Sequence, residues 1–155
     1  MNIDRVKIAK EKLRKALRPF RDAEWTEVSI DGIQGNNMDW IVVLKSEEEK
    51  LVKVGVTIPQ VTHLLPAMRE LSGEMLFATP YQTIDRLAQA FGAHSTAVVL
   101  DTNFDRIVGG RVEMRMLGGE RIYLQMSAGD AIVYAVTMSL PMYMTKGVVN
   151  YLSER

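Results

Sequence analysis

The chain has 155 residues, enough for one hydrophobic core, and its 47% hydrophobic and 25% charged composition excludes disordered, collagen-like and coiled-coil classes. Nineteen basic residues balance nineteen acidic ones, which argues against a uniformly basic nucleic-acid binder. With no cysteine and two histidines, disulfides, cysteine-ligated metals, cysteine nucleophiles and histidine-rich metal centres all drop out.

The first 22 residues carry eight basic side chains against three acidic ones, so the rest of the chain is equally negative. Ile3, Val6, Ala9, Leu13, Ala16, Leu17 and Phe20 recur at three- and four-residue steps. That spacing predicts an amphipathic helix over 1–24, starting near Asp4 and stopping at Pro19. Lys7, Lys10, Arg14, Lys15 and Arg18 on it are candidate phosphate contacts for nucleic acid, and a solvated helix face is the plainer account. No apolar run approaches the 18 or so residues of a membrane span, and no leader pattern opens the chain, so a soluble cytoplasmic protein without membrane contact is expected.

A second unit is predicted over 25–155. Trp25 to Ile30 alternates, Trp40 to Leu44 is an apolar run, and Asp31-Gly32 and Gly35-Asn36-Asn37 between them read as turns of a hairpin. The acidic Glu47-Glu48-Glu49 reads as an exposed turn rather than a cation site, leading into a third strand over Leu51 to Val56.

Three helix starts share one signal, a Ser or Thr followed three residues later by a side chain able to bond back: Thr57 with Gln60, Thr79 with Gln82, and Ser127 with Asp130. Gly73 and Gly92 are the expected stops of the first two, and Pro66 is expected to kink or break the first. Between Gly92 and Ser127, strands over Thr96 to Leu100, Ile107 to Leu117 and Arg121 to Met126 form an antiparallel meander. A helix from Ala128 to Leu140, a strand over Met142 to Met144 and a helix over Lys146 to Ser153 complete an α+β fold, mostly antiparallel, with helices packed on the sheet.

Asp130, in the first turn of a helix, is the leading catalytic carboxylate, with capping by Ser127 as the structural alternative. Asp101 and Asp105 flank a turn and are candidates to hold Mg²⁺ or Mn²⁺. His63 and His94 read as structural, with a base role as the alternative. Gly109-Gly110 and Gly118-Gly119 have no nucleotide-cradling context, and the methionines read as packing.

Val54-Gly55, Leu87 to Gly92, Val98-Val99-Leu100-Asp101, Asp130-Ala131-Ile132 with Ala135, and Pro141-Met142-Tyr143-Met144 occur in an order that resembles the bifunctional nuclease (DNase/RNase) family of bacterial and plant domains. The resemblance spans about 25–155, and the register of its last forty residues or so is the strongest part. It implies that family's sheet-and-helix fold and, at family level, metal-assisted cleavage of DNA or RNA phosphodiesters.

The polar positions depart from the family pattern. Ile58 stands where a Glu is usual, Pro80-Tyr81-Gln82 replaces Thr-His-Asp, and Ser127-Ala128-Gly129 replaces Arg-Pro-Ser, so that of the polar set only Asp130 remains. Phosphodiester hydrolysis needs a positioned base or metal and a cation on the phosphate. The expected reading is therefore a catalytically weak or silent module that binds a ligand or partner and forms homo-oligomers, a dimer foremost. A metal-assisted nuclease using Asp130, Asp101 and Asp105 is the alternative.

Overall fold

The computed structural model describes residues 25–69, 79–102 and 108–153, so the N-terminal helix predicted over 1–24, Gly73 and Asp105 lie outside the described residues. The elements are β1 (Trp25–Gly35), β2 (Trp40–Ser46), β3 (Leu51–Val56), α1 (Ile58–Met68), α2 (Pro80–Ala90), β4 (Ala93–Thr102), β5 (Val108–Met116), β6 (Arg121–Ser127), α3 (Ala128–Thr137), β7 (Met142–Thr145) and α4 (Lys146–Ser153). All seven strands join one sheet in the order β3-β2-β1-β7-β4-β5-β6. Every neighbouring pair is antiparallel except β4 with β7, whose parallel register sets Val98 opposite Met142 and Leu100 opposite Met144. The fold is α+β, as expected.

Asp31-Gly32 corrects the sequence reading. It is no turn: β1 continues through it, and the register slips between Ile30 and Gly32, leaving Asp31 as an extra residue in a bulge. Turn-forming residues also suit bulges, which need one residue out of ladder register. The reversal falls at Asn36, whose carboxamide oxygen accepts from the N–H groups of Met38 and Asp39 at 2.9 and 3.0 Å.

The helices start where their caps predict. Thr57 and Thr79 each make the full reciprocal capping box with Gln60 and Gln82. Helix α1 runs through Pro66 and stops two residues later at Met68, while α2 ends against Gly92, which adopts φ +80°. Helix α3 stops at Thr137, short of Leu140, because Ser139 turns left-handed (φ 54°) and the Leu140 N–H reaches back to the Ala135 carbonyl at 2.8 Å.

Alternate strand residues build the core on one face of the sheet. Val28, Val42, Leu44, Val52, Val98, Leu100, Val112, Met142 and Met144 pack beneath Ile132, Tyr134 and Ala135 of α3, Leu64 of α1 and Val148 and Val149 of α4. Helix α3 lies close on β5 because Gly110 leaves room: a Cβ there would stand 2.2 Å from that of Ala131. The opposite face of β4 and β5 carries two buried carboxylates, Glu113 paired to half-buried Arg121 of β6 at 3.2 Å and Asp101 facing half-buried Arg111 at 3.8 Å. Among the described residues no helix is long and apolar enough to cross a membrane.

Candidate functional site

The first turns of α1, α2 and α3 meet at one point. The Thr57 box aims Gln60 toward α3, Pro80 pre-sets the turn that carries Tyr81, and β6 runs directly into α3 at Ser127. There the carboxylate of Asp130 accepts through Oδ1 from the Tyr81 hydroxyl at 2.8 Å and from Gln60 Nε2 at 3.1 Å. Gln60 Nε2 also donates to Ser127 Oγ at 3.1 Å, while Gln60 Oε1 accepts from the Thr57 N–H at 2.9 Å. One carboxamide thus ties the start of α1 to the start of α3.

Ser127 caps α3 as expected, its hydroxyl accepting from the Asp130 N–H at 3.1 Å. The reciprocal half of that box is not made among the described residues. The Ser127 residue still belongs to β6, opposite Gly109, and the Asp130 carboxylate turns instead toward Gln60 and Tyr81. It is therefore a junction group of three helices rather than a simple cap, and its Oδ2 makes no hydrogen bond among the described residues.

Around it opens a cleft of about 470 Å³ lined by Thr57, Pro59, Gln60, His63, Pro80, Tyr81, Ile84, Met126 and Asp130. His63 stands edge-on to Tyr81, ring centroids 5.5 Å apart at 72°, so the two rings form one wall. Burial, reinforced by the hydrogen bond to Asp130, pushes the Tyr81 phenol well above its ordinary pKa, and it keeps its proton as a fixed donor. Among the described residues the lining has one carboxylate and neither Lys nor Arg.

The other sequence candidates lie apart from this cleft. Asp101, near the end of β4, lines a separate cavity of about 200 Å³ with Thr102, Gly109, Gly110, Arg111, Gln125 and Met126. Its carboxylate accepts from the Thr102 N–H at 2.8 Å and faces Arg111. Burial raises its pKa, against the opposing pull of Thr102 and Arg111. Asp105 and the basic set Lys7, Lys10, Arg14, Lys15 and Arg18 lie outside the described residues. His94 is exposed on β4, away from the cleft lining. Glu47, Glu48 and Glu49 do not act as a unit: Glu47 accepts from Thr26 Oγ1, and Glu48 pairs with Lys146 at 3.0 Å and Lys50 at 3.7 Å.

From the sequence Gln60 reads as a capping residue, and nothing local marks Tyr81 as a site residue. The available signal was the repetition of one capping pattern at three helices, though nothing local in sequence says that the three starts converge. No family model matches the chain, and no curated protein does.

Nuclease chemistry of the kind the resemblance implies would need a divalent cation. Mg²⁺ and Mn²⁺ take about six oxygen ligands, usually with more than one carboxylate or a substrate phosphate. Among the described residues no three His, Asp or Glu side chains gather to hold a metal. Asp101 faces a guanidinium, and Asp130 Oδ1 already holds two neutral donors. Among the described residues, neither Asp101 nor Asp130 is joined by the further carboxylates such an ion takes, and Asp105 lies outside them.

Proposed function

We propose that this chain is a binding module on a bifunctional-nuclease-like scaffold, and that its Asp130 cleft holds a small ligand without cleaving it. The observation that carries this reading is the engagement of Asp130 by Tyr81 and Gln60 in a cleft whose described lining residues include no second carboxylate and no Lys or Arg. Cleaving a phosphodiester requires a nucleophile to be activated and negative charge on phosphate to be stabilised. A single carboxylate with no Lys or Arg beside it among the described lining residues supplies nothing to stabilise that charge. It is well placed to orient a ligand.

Oδ2, which makes no hydrogen bond among the described residues, would accept from a ligand's amino or hydroxyl group, while the His63 and Tyr81 rings, Ile84, Met126 and the two prolines offer an apolar bed for a flat or aliphatic body. In the register of the family resemblance, Tyr81 occupies the usual His position, so a titrating group is exchanged for one that stays protonated. The basic segment within 1–24 is a separate candidate for phosphate contact, read from sequence alone.

The test is cleavage of supercoiled plasmid and single-stranded RNA by the full chain with Mg²⁺, with Mn²⁺ and with chelator. The expected result is no product above buffer in any arm. Metal-dependent cleavage that disappears in Asp130→Asn, with the thermal melt of that variant retained, would restore the nuclease reading.

A further inference from the structure

We propose that two copies of this chain pair through their β6 edges, antiparallel about Leu124, so that two seven-stranded sheets become one. The proposal is independent of what the cleft binds. Among the described residues, strand β6 ends the sheet and presents one side of its backbone without a neighbouring strand. Proteins guard such edges with lysines, prolines, bulges or a covering element. Strand β6 (Arg-Ile-Tyr-Leu-Gln-Met-Ser) has none of the first three: it contains no Lys or Pro, it pairs with β5 without a register shift, and its single charge, Arg121, is drawn inward by Glu113. The opposite edge, β3, is guarded, with exposed Lys53 in the strand, α4 packed against it, and Lys50 bonded to Asn150 of α4.

The occupant that fits is a second copy. A two-fold register about Leu124 sets Arg121 opposite Ser127, Ile122 opposite Met126 and Tyr123 opposite Gln125, so no like charges meet and apolar residues face apolar ones. The chain's formal charge of zero adds no long-range repulsion between copies.

A seven-residue strand is only about 24 Å long, and a ribbon of that length falls short of the ~800 Å² per partner of a stable interface. The remaining area is at hand. Ile122 and Leu124, on the helix-bearing face of the strand, are 41% and 38% exposed, and beyond them Leu117 at the β5–β6 turn and Phe91 at the end of α2 are 89% and 74% exposed. The Leu117 N–H donates to the Gly92 carbonyl at 3.0 Å, which fixes Phe91 and Leu117 at the same end of the sheet. In an edge pair related by a two-fold axis normal to the sheet, both helix layers fall on one face, and these side chains extend the contact there.

The experiment uses the full chain, whose lack of native cysteine makes single-cysteine variants unambiguous. Light scattering coupled to size exclusion is expected to show a dimer for the wild type and a monomer for Leu124→Lys of unchanged circular dichroism. Under mild oxidant, Leu124→Cys is expected to cross-link to itself, because directly opposed antiparallel residues lie about 4.5–5.5 Å apart between Cα atoms, within the disulfide range of roughly 4.4–6.8 Å. Gln125→Cys, opposite Tyr123 in this register, and Lys53→Cys on the guarded edge are expected to stay unlinked. A wild-type monomer, a dimer that persists in folded Leu124→Lys, or linkage at Lys53→Cys but not at Leu124→Cys would each overturn the proposal. Should Leu124→Lys fail to fold, the cysteine pair decides alone.

Discussion

Replacing Gly129 by alanine probes the three-helix junction directly. Gly129 sits in the first turn of α3, and a Cβ added there would lie 2.1 Å from Gln60 Oε1 and 2.5 Å from its Cδ. The carboxamide must leave. Doing so releases its bonds to the Thr57 N–H, Ser127 Oγ and Asp130 Oδ1. At the lower end of about 0.5–1.5 kcal/mol per bond, suited to a partly exposed site, that loss is roughly 1.5–3 kcal/mol. Against it stands the helix-propensity gain of Ala over Gly, about 0.5–1 kcal/mol.

Gly129→Ala is therefore expected to destabilise the chain by about 1–2 kcal/mol, a fall in Tm of roughly 3–6 °C for a domain of this size. In a Gln60→Ala background the obstruction is already gone, so the same substitution is expected to stabilise by about 0.5–1 kcal/mol. Urea unfolding of the four proteins, followed through Trp25 and Trp40 fluorescence and by circular dichroism, gives the cycle. The sign must invert between backgrounds. Gly129→Ala that stabilises in both would show that Gln60 does not occupy this space, and equal destabilisation in both would assign the cost to another neighbour.

Gly110→Ala meets the Ala131 Cβ and the Ser127 carbonyl, neither of which can swing aside, so its cost of about 1–3 kcal/mol should persist in every background and appear as a lower urea midpoint. Ser127→Ala removes the acceptor for both the Asp130 N–H and Gln60 Nε2, and should lose at least the ~1 kcal/mol of an ordinary cap. Asp101 has a raised pKa in the fold, so between its unfolded and folded pKa values the native state binds more protons, and stability falls as pH rises through that window. Asp101→Asn keeps an acceptor for the Thr102 N–H and should remove this dependence, with its stability relative to wild type greatest at neutral pH and shrinking as acid protonates Asp101. Urea midpoints measured from pH 7 down to pH 4 check it, and a relative stability that grows toward acid would contradict the sign.

Local chemistry made much of the fold legible. Strand β3 and helix α4 fall on their predicted residues because Glu-rich and Thr signals bracket them, and each of the three capped helices begins at its cap. What sequence hid was non-local or ambiguous. Asp31-Gly32 has turn chemistry that a bulge absorbed, and Ser139 ended α3 through a backbone conformation that its residue type does not favour. The parallel pairing of β7 with β4 joins segments some forty residues apart. Asp130 stands out in the sequence as a carboxylate in a helix first turn, but its partners Gln60 and Tyr81 lie about 70 and 50 residues upstream, and only the packing of three helix starts brings them together. Asp101 and Asp130 looked alike in sequence as carboxylates near element ends; the structure assigns them to different cavities, one opposite an arginine and one bonded by neutral donors.

The most direct measurement on the Asp130 cleft is the anomalous difference map of crystals soaked in MnCl₂. With Oδ1 held by Tyr81 and Gln60, the expected map has no manganese peak on Asp130 and leaves both hydrogen bonds in place. A peak within coordination distance of the Asp130 carboxylate, with either donor displaced, would contradict a site built for binding without cleavage.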